Sequence, residues 1–213
     1  MTEAGSELVV YVVDDDASIR DSLALMLGLA GYSTRLYADA ESFLVVFDQA
    51  WRGCVVADLR LPGLSGVELQ ERVRQRGSSI PFIIITAHGD VPAARAAFLG
   101  QAVDFLEKPF EDADLRQAID IAFGLESRRA EEAATRRADN DKLARLTSRE
   151  REVLDQAARG LHAKEIAAAL GISPRTVEVH KTRVMEKLGV RNVAELVRFA
   201  LAAQAKPKPP RKA

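Results

Sequence analysis

The chain of 213 residues is long enough for two small domains, each with its own core. Its net charge of −1 hides an asymmetry: residues 1–124 hold 10 Lys or Arg against 19 Asp or Glu, whereas residues 147–213 hold 14 against 7. An acidic domain joined to a basic one is typical of a regulated nucleic-acid binder. The single cysteine excludes a disulfide or a cysteine-based zinc site within one chain. No apolar stretch approaches the length of about 18 residues that a membrane span needs, so we expect a cytoplasmic protein.

The first half of the chain alternates short apolar runs with segments of helix length. The runs predict five β-strands, at residues 8–13, 33–37, 54–58, 82–86 and 103–107. The segments between and after them predict helices at about 17–30, 40–50, 65–76, 91–99 and 112–124. Apart from the weaker, alternating run 33–37, the runs are apolar enough for burial on both faces. Strands that alternate with helices favour a parallel sheet with right-handed crossovers.

Chemically specific residues stand at the ends of four of these runs. Asp14–Asp16 follow the first run, Asp58 and Thr86 end the third and fourth, and Lys108 follows the fifth. The carboxyl ends of parallel strands lie along one edge of a sheet, where doubly wound folds bind ligands. We therefore expect these side chains to converge in one crevice.

The chemistry of this set points to phosphoryl transfer. Carboxylates placed this close repel one another unless a hard cation such as Mg²⁺ or Mn²⁺ joins them. If Asp58 is the nucleophile, the ion and Lys108 both neutralise charge on the transferring phosphoryl group, and Thr86 offers a hydroxyl to another oxygen.

Four segments, taken in order, closely resemble the receiver domain of two-component response regulators: VVDDD (12–16), VVADLRLPGLSGVEL (55–69), IITAHGDVP (84–92) and VDFLEKPF (103–110). The resemblance covers nearly all of residues 8–124, so we assign residues 1–124 to a receiver domain. It implies an α/β fold of the flavodoxin/CheY type, with a doubly wound five-stranded parallel sheet in the order 2-1-3-4-5.

The resemblance also implies roles for individual residues. Asp58 is the expected phosphoacceptor, with Lys108 and Thr86 acting beside it, and Thr86 with Phe105 matches the pair that couples phosphorylation to the surface. The implied ligands of Mg²⁺ (or Mn²⁺) are Asp14, Asp15, Asp58 and the backbone carbonyl of Arg60.

One segment departs from the family pattern. Receiver domains usually have Ala-Gly-Ala between the fourth helix and the fifth strand, and this chain has Gly100-Gln101-Ala102. Since glutamine is poor at a helix cap with positive φ, either Gly100 ends the helix one residue early or Gln101 is strained. The face formed by this helix and strand is the usual dimer face of the family, so the departure bears on dimer geometry.

Residues 125–146 are charged, rich in alanine and free of Pro and Gly. A helical extension of the fifth helix is favoured for this linker over a flexible chain. Residues 147–205 then follow a purely helical period, and the tail 206–213 (KPKPPRKA) is basic and proline-rich, which predicts disorder.

The second domain reads as four helices. Thr147 and Glu150 form a capping box for the first, which presents Val153, Leu154 and Ala157 to a core. A helix over 163–170 ends at Gly171, and Ser173-Pro174 opens the next, through about Leu188. Two helices joined by this short turn form a helix-turn-helix. A fourth helix, about 193–203, has an apolar face of Val193, Leu196, Val197 and Ala200.

The string from Leu146 to Leu201 strongly resembles the LuxR-type helix-turn-helix, and its pairing with a receiver resembles the FixJ/NarL type of regulator, nearest the FixJ branch. On the helix after the turn, Val177, Val184 and Leu188 face the core, which leaves the rest to enter a major groove. Glu178 can accept from cytosine and Val179 can pack on a thymine methyl. The expected DNA-contacting residues are Lys164, Arg175, Thr176, Glu178, Val179, Lys181, Thr182, Arg183 and Lys187.

The leading hypothesis is a phosphorylation-dependent DNA-binding transcription regulator. The expected partners are a sensor histidine kinase, double-stranded promoter DNA, a second copy of the chain when phosphorylated, and RNA polymerase, with no membrane involved. Self-phosphorylation from small donors and self-dephosphorylation are the most enzymatic activity expected.

Two alternatives compete with this hypothesis. An aspartate-nucleophile phosphohydrolase would use similar chemistry, but Arg60 stands where such enzymes have a second aspartate, and no cap domain is present. A phosphorelay adaptor that binds only proteins would not need the complete helix-turn-helix.

Overall fold

The computed structural model describes residues 8–87 and 91–204, without side chains for 202–204. The chain divides into two compact units, residues 1–130 and 131–213. The predicted tail at 206–213 lies outside the described residues. Among the helices that the structure describes, none combines the length and apolar character needed to cross a bilayer.

The first unit is built on a five-stranded parallel sheet in the order β2-β1-β3-β4-β5, which confirms the predicted fold. Its strands are β1 (Val9–Val13), β2 (Ser33–Tyr37), β3 (Gly53–Asp58), β4 (Phe82–Thr86) and β5 (Asp104–Glu107). The crossovers are α1 (Ala17–Leu29), α2 (Ala40–Val46), α3 (Gly66–Gln75) and α4 (Val91–Leu99), and α5 (Asp112–Ala144) follows the last strand.

The sheet has a core on each face, which explains why its central strands are apolar at every position. Val10 and Val12 of β1 pack with α1 and α5, whereas Tyr11 and Val13 pack with α2, α3 and α4. Successive residues of a strand point to opposite faces, so a sheet covered by helices on both sides selects uninterrupted apolar runs.

The expectation of burial on both faces is wrong for the fifth strand. Residues 103–106 are only half-buried, because β5 lies at the edge of the sheet beyond β4. The predicted helix at 40–50 is also too long. α2 ends at Val46, and Phe47 turns into an extended conformation with φ −62° and ψ 126°. There its ring stacks on Phe43 at 5.4 Å and meets Trp51 edge-on at 5.7 Å, so aromatic packing ends the helix.

The end of α4 resolves the alternative left open at Gly100-Gln101. The Ala102 and Gln101 amides donate to the carbonyls of Ala97 and Phe98, both at 2.9 Å, which is the bonding of a Schellman cap. Gln101 occupies its left-handed position with φ 69°, the only positive φ among the described non-glycine residues.

A buried amide accounts for glycine at position 100. Gln70 is 4% exposed and donates from Nε2 to the Gly100 carbonyl at 3.0 Å. A Cβ at position 100 would lie 2.5 Å from Gln70 Oε1, which is too close for two nonbonded atoms. Gln70 therefore takes the space of the alanine methyl, and the strain falls on Gln101.

In the second unit, α6 (Ser148–Ala158), α7 (Ala163–Leu170), α8 (Pro174–Leu188) and α9 (Val193–Gln204) follow the helical stretch of α5 that covers residues 131–144. The capping box of Thr147 and Glu150 and the Ser173 N-cap with Pro174 are confirmed. The core contains Val153, Leu154, Val177, Val184, Leu188 and Leu196. Val193 was expected in this core, but it is 45% exposed because it begins α9 at the rim of the unit.

Candidate functional site

Lys108 joins two aspartates at the carboxyl edge of the sheet. Its Nζ lies 2.8 Å from Asp14 Oδ2 and 2.9 Å from Asp58 Oδ2. Its backbone amide donates to the Thr86 carbonyl at 2.7 Å, which anchors the start of the β5–α5 loop to the end of β4. Three strands and this loop thus bring together residues that are up to 94 positions apart in the chain.

Three carboxylates form the acidic part of the site. Asp14 is fully buried, Asp58 is 9% exposed, and Asp15 is exposed. Each offers one oxygen such that the three oxygens lie within 4.8 Å of one another, a spacing that one metal ion can bridge. Asp16 points elsewhere, since its side chain caps α1 by accepting from the amides of Ser18 and Ile19.

The charges in this crevice are strongly coupled. Burial raises the pKa of Asp14, against the opposing effect of its hydrogen bond from Lys108. Burial alone would lower the pKa of Lys108, but the hydrogen bonds and charges of Asp14 and Asp58 outweigh it and the pKa is raised. Lys108 therefore stays positively charged and is available to a further anion in the crevice.

The backbone around Asp58 is closely packed. The Arg60 amide donates to Asp58 Oδ1 at 3.1 Å, so Arg60 reaches the site through its nitrogen. Gly66 begins α3 against the same turn, and a Cβ there would lie 2.3 Å from the Asp58 carbonyl oxygen. Only a residue without a side chain allows α3 to start this close to the end of β3.

Thr86 and Phe105 lie on neighbouring strands. Thr86 is fully buried at the end of β4. Phe105 is half-buried, pairs in register with Ile84, and packs on the sheet face that α2, α3 and α4 cover. Since residues two apart share a face, Thr86 and Phe105 belong to the same side of the sheet.

On the second unit, the helix after the turn presents an exposed face beside its buried one. Arg175, Val179, Thr182 and Arg183 are exposed, and Val179 is 45% exposed although it is apolar. Lys164 is exposed on α7. These positions recur at helical spacing and form one surface.

Other predicted DNA contacts already have partners within the unit. Lys181 Nζ lies 3.2 Å from Glu178 Oε1, and Thr176 Oγ1 lies 2.8 Å from Ser173 Oγ. Lys187 Nζ lies 2.6 Å from Glu150 Oε2, and the Glu150 side chain is only 4% exposed. The role of Lys187 is therefore tied to the core of the unit.

Comparison with known families identifies both units. Residues 10–120 match the response regulator receiver domain. The chain belongs to the response regulator family. Residues 144–200 of this response regulator match the luxR family of bacterial regulatory proteins.

Similar proteins combine the same two domains over their full length. The response regulator is 44% identical over 194 residues to the transcriptional regulatory protein FixJ of Bradyrhizobium diazoefficiens, with 91% of this chain and 95% of that protein covered. It is 42% identical to FixJ of Rhizobium meliloti, with 92% and 97% covered. Among solved structures, the response regulator StyR matches with a TM-score of 0.82 and 40% identity over 92% of this chain and 100% of that one.

These findings establish the general function of the response regulator. A receiver followed by a LuxR-type domain, with FixJ relatives, makes it a phosphorylation-dependent DNA-binding transcription regulator of a two-component system. It is a signalling protein that implies a histidine kinase and DNA as partners, which excludes the general phosphohydrolase and the adaptor as its main activity.

Two residues of the response regulator site were missed by sequence reasoning. Arg20 of α1 donates to the Asp14 carbonyl, and Gly66 makes room for the Asp58 carbonyl. Arg20 stands one helical turn after the Asp16 cap, a position that marks it as a neighbour of the acidic loop. Neither contact is readable without knowing how α1 and α3 approach the strand ends.

Proposed function

We propose that Asp58 accepts a phosphoryl group from a histidine kinase and that the phosphorylated chain binds promoter DNA as a dimer. The observation that carries the proposal is the bridge of Lys108 to both Asp14 and Asp58, at 2.8 and 2.9 Å. It places a fixed positive charge beside a carboxylate at the sheet edge. In the transfer, the phosphorus–nitrogen bond of the phosphohistidine breaks as a phosphorus–oxygen bond forms to an Asp58 oxygen.

The acidic cluster fits a divalent cation. Three carboxylate oxygens within 4.8 Å carry more negative charge than Lys108 balances, and hard oxygen donors are those that Mg²⁺ or Mn²⁺ prefers. Asp15 and Asp58 would hold the ion, with the backbone carbonyl of Arg60 and with Asp14 beside them. When bound, the ion would neutralise charge on the phosphoryl oxygens.

The protein's own groups would then hold the phosphoryl group. Lys108 would turn from Asp14 and Asp58 towards a phosphoryl oxygen, since an ammonium group forms strong charge-assisted bonds with phosphate. Thr86 would donate its hydroxyl to another oxygen. Its inward movement would leave room for Phe105 to turn inward, and the face formed by α4 and β5 would change.

The exposed surface of α1 supports a protein partner as the phosphodonor. Leu25 and Leu29 are 66% and 83% exposed, on a helix that begins next to the acidic loop. Exposed apolar side chains that lie together are typical of interaction surfaces. Small phosphodonors would serve the same site in self-phosphorylation, and hydrolysis of the aspartyl phosphate would end the signal.

For DNA, we propose that α8 lies in the major groove. Glu178, Val179 and Thr182 would read base edges, while Arg175, Arg183 and Lys164 would contact phosphates. Thr176 and Lys181 would lie at the margin of this surface. For Lys187 we propose a structural role through Glu150, and RNA polymerase is the further partner that a promoter-bound regulator would contact.

The mass of the full chain in solution tests the switch. Light scattering on a sizing column would compare wild type with Asp58→Ala, with and without Mg²⁺ and beryllofluoride as a phosphoryl mimic. We expect only wild type to change from monomer to dimer, and only when both additives are present. Asp39→Ala is a matched control, because Asp39 caps α2 and lies outside the acidic cluster. A dimer that forms equally in Asp58→Ala, or no dimer in wild type, would contradict the proposed mechanism.

A further inference from the structure

Arg20 makes a contact with the acidic loop that the proposed chemistry does not use. Its Nη1 donates to the backbone carbonyl of Asp14 at 2.5 Å. The side chain is half-buried and projects from the second turn of α1. The backbone of Arg20 is fixed as well, since its amide donates to the Asp16 carbonyl at 3.0 Å.

This contact completes a set of bonds that immobilises Asp14. The Asp14 amide donates to the Tyr37 carbonyl at 3.2 Å, Oδ1 accepts from the Asp16 amide at 2.9 Å, and Oδ2 accepts from Lys108 at 2.8 Å. Arg20 adds a bond to the carbonyl oxygen. Every polar group of this buried residue therefore has a partner, and the partners come from β2, the loop itself, the β5–α5 loop and α1.

The carbonyl that Arg20 holds belongs to the peptide bond between Asp14 and Asp15. Because the peptide unit is planar, the direction of this carbonyl also determines where the backbone of Asp15 lies. Asp15 is the exposed member of the acidic cluster, so the packing that fixes Asp14 does not hold its side chain. Holding the peptide plane is thus a means of placing the Asp15 carboxylate near that of Asp58.

We propose that Arg20 is a positioning residue for the divalent-cation site, acting through the Asp14–Asp15 peptide. The inference rests on the proposed metal site and adds to it a residue that touches neither the ion nor the phosphoryl group. A planar guanidinium suits this role, because it donates in a fixed direction from a long side chain.

Positioning and charge predict effects of opposite sign. A guanidinium near the site repels a divalent cation, so if Arg20 acted only through its charge, its removal would tighten Mg²⁺ binding. If Arg20 positions Asp15, its removal frees the peptide plane and weakens Mg²⁺ binding. The direction of the change therefore distinguishes the two roles.

The test is isothermal titration of the full chain with Mg²⁺ for wild type, Arg20→Met, Arg20→Lys and Arg76→Met. Arg76→Met is the matched control, because Arg76 Nη1 also donates to a half-buried backbone carbonyl, that of Leu44, at 2.6 Å. We expect Arg20→Met to raise the Kd for Mg²⁺ roughly tenfold, the equivalent of one ordinary hydrogen bond. Arg20→Lys keeps the charge but loses the planar donor, and we expect a rise of about threefold. Arg76→Met should stay within about twofold of wild type, since it is far from the carboxylates in the chain and contacts none of them.

The outcomes separate this inference from the metal site itself. If wild type does not bind Mg²⁺, the proposed site is wrong. If wild type binds Mg²⁺ and Arg20→Met binds equally well or more tightly, the positioning role is wrong and the metal site stands. A Kd raised equally in Arg76→Met would also overturn it, since any lost arginine bond would then suffice. Circular dichroism checks folding, and Arg20→Lys decides the question if Arg20→Met does not fold.

Discussion

Replacing Lys187 with methionine should weaken the helical unit without removing a DNA phosphate contact. Lys187 ends α8, and its Nζ lies 2.6 Å from Glu150 Oε2. The same carboxylate accepts from the Thr147 amide at 2.8 Å in the capping box of α6. Methionine keeps the apolar stem of the lysine but leaves a nearly buried carboxylate without its cation.

The size of the effect follows from the carboxylate. The hydrogen bond from Lys187, with that from the Thr147 backbone, lowers the pKa of Glu150 from 4.5 to about 2. A difference of this size corresponds to about 3.4 kcal/mol if it is all realised as stability. The Lys187 side chain is 35% exposed, so water screens the pair, and Thr147 supplies part of the stabilisation. We therefore expect Lys187→Met to lower the free energy of unfolding of this unit by about 1–2 kcal/mol.

The dependence on pH has a definite sign. Because the folded carboxyl has the lower pKa, its contribution is present above pH 4.5 and is lost as the pH falls towards 2. NMR of the Glu150 carboxyl carbon should show a titration far below 4.5 in wild type. In Lys187→Met the midpoint should move upward, because burial then acts without the opposing cation.

Two measurements on the full chain check the prediction. Hydrogen exchange followed by mass spectrometry reports the free energy of opening for α6–α9 separately from the sheet. The salt dependence of binding to duplex DNA reports phosphate contacts, since each one lost lowers the slope by about 1. Lys187→Met should lower protection and leave the slope unchanged, whereas Arg183→Met should lower the slope and leave protection unchanged. Unchanged protection in Lys187→Met with a lower slope would refute the reasoning and make Lys187 a phosphate contact.

Two further predictions concern glycine geometry in the receiver. Gln101→Gly should raise the free energy of unfolding of the first unit by about 0.5–1 kcal/mol, because relief of the left-handed strain exceeds the entropy that glycine adds to the unfolded chain; urea titration should show no gain if φ 69° is unstrained. Gly66→Ala should lower the free energy of unfolding of that unit by about 1–3 kcal/mol and weaken Mg²⁺ binding, because its Cβ would lie 2.3 Å from the Asp58 carbonyl oxygen; calorimetric titration that gives a wild-type Kd would show that the end of β3 can move without affecting the site.

Much of the site was readable from the sequence because its residues stand at strand ends. Asp14, Asp58, Thr86 and Lys108 follow or close short apolar runs, and a parallel sheet brings such positions to one edge whatever the details of packing. The caps of the second unit were readable for a similar reason. Thr147 with Glu150 acts within four residues, so local sequence suffices.

Contacts that depend on how elements approach one another were not readable in this way. The end of α2 at Val46 depends on the packing of Phe47 against Phe43 and Trp51, and the half-exposure of β5 depends on its place at the sheet edge. Val193 follows the helical period of α9, yet it lies at the rim, because periodicity identifies a face but not how far the core extends along it.

The sequence by itself determined the order of strands and helices, the two-domain plan and the residues gathered at the carboxyl edge, because these follow from periodicity and local caps. Only the tertiary structure decided that Gln70 fills the space beside Gly100, that Glu150 engages Lys187, and that Arg20 holds the Asp14 carbonyl. Each of these contacts joins elements whose side chains meet at a distance and angle set by the packing of whole helices. Spacing along the chain carries no information about that geometry, so the positions of partners had to come from the fold.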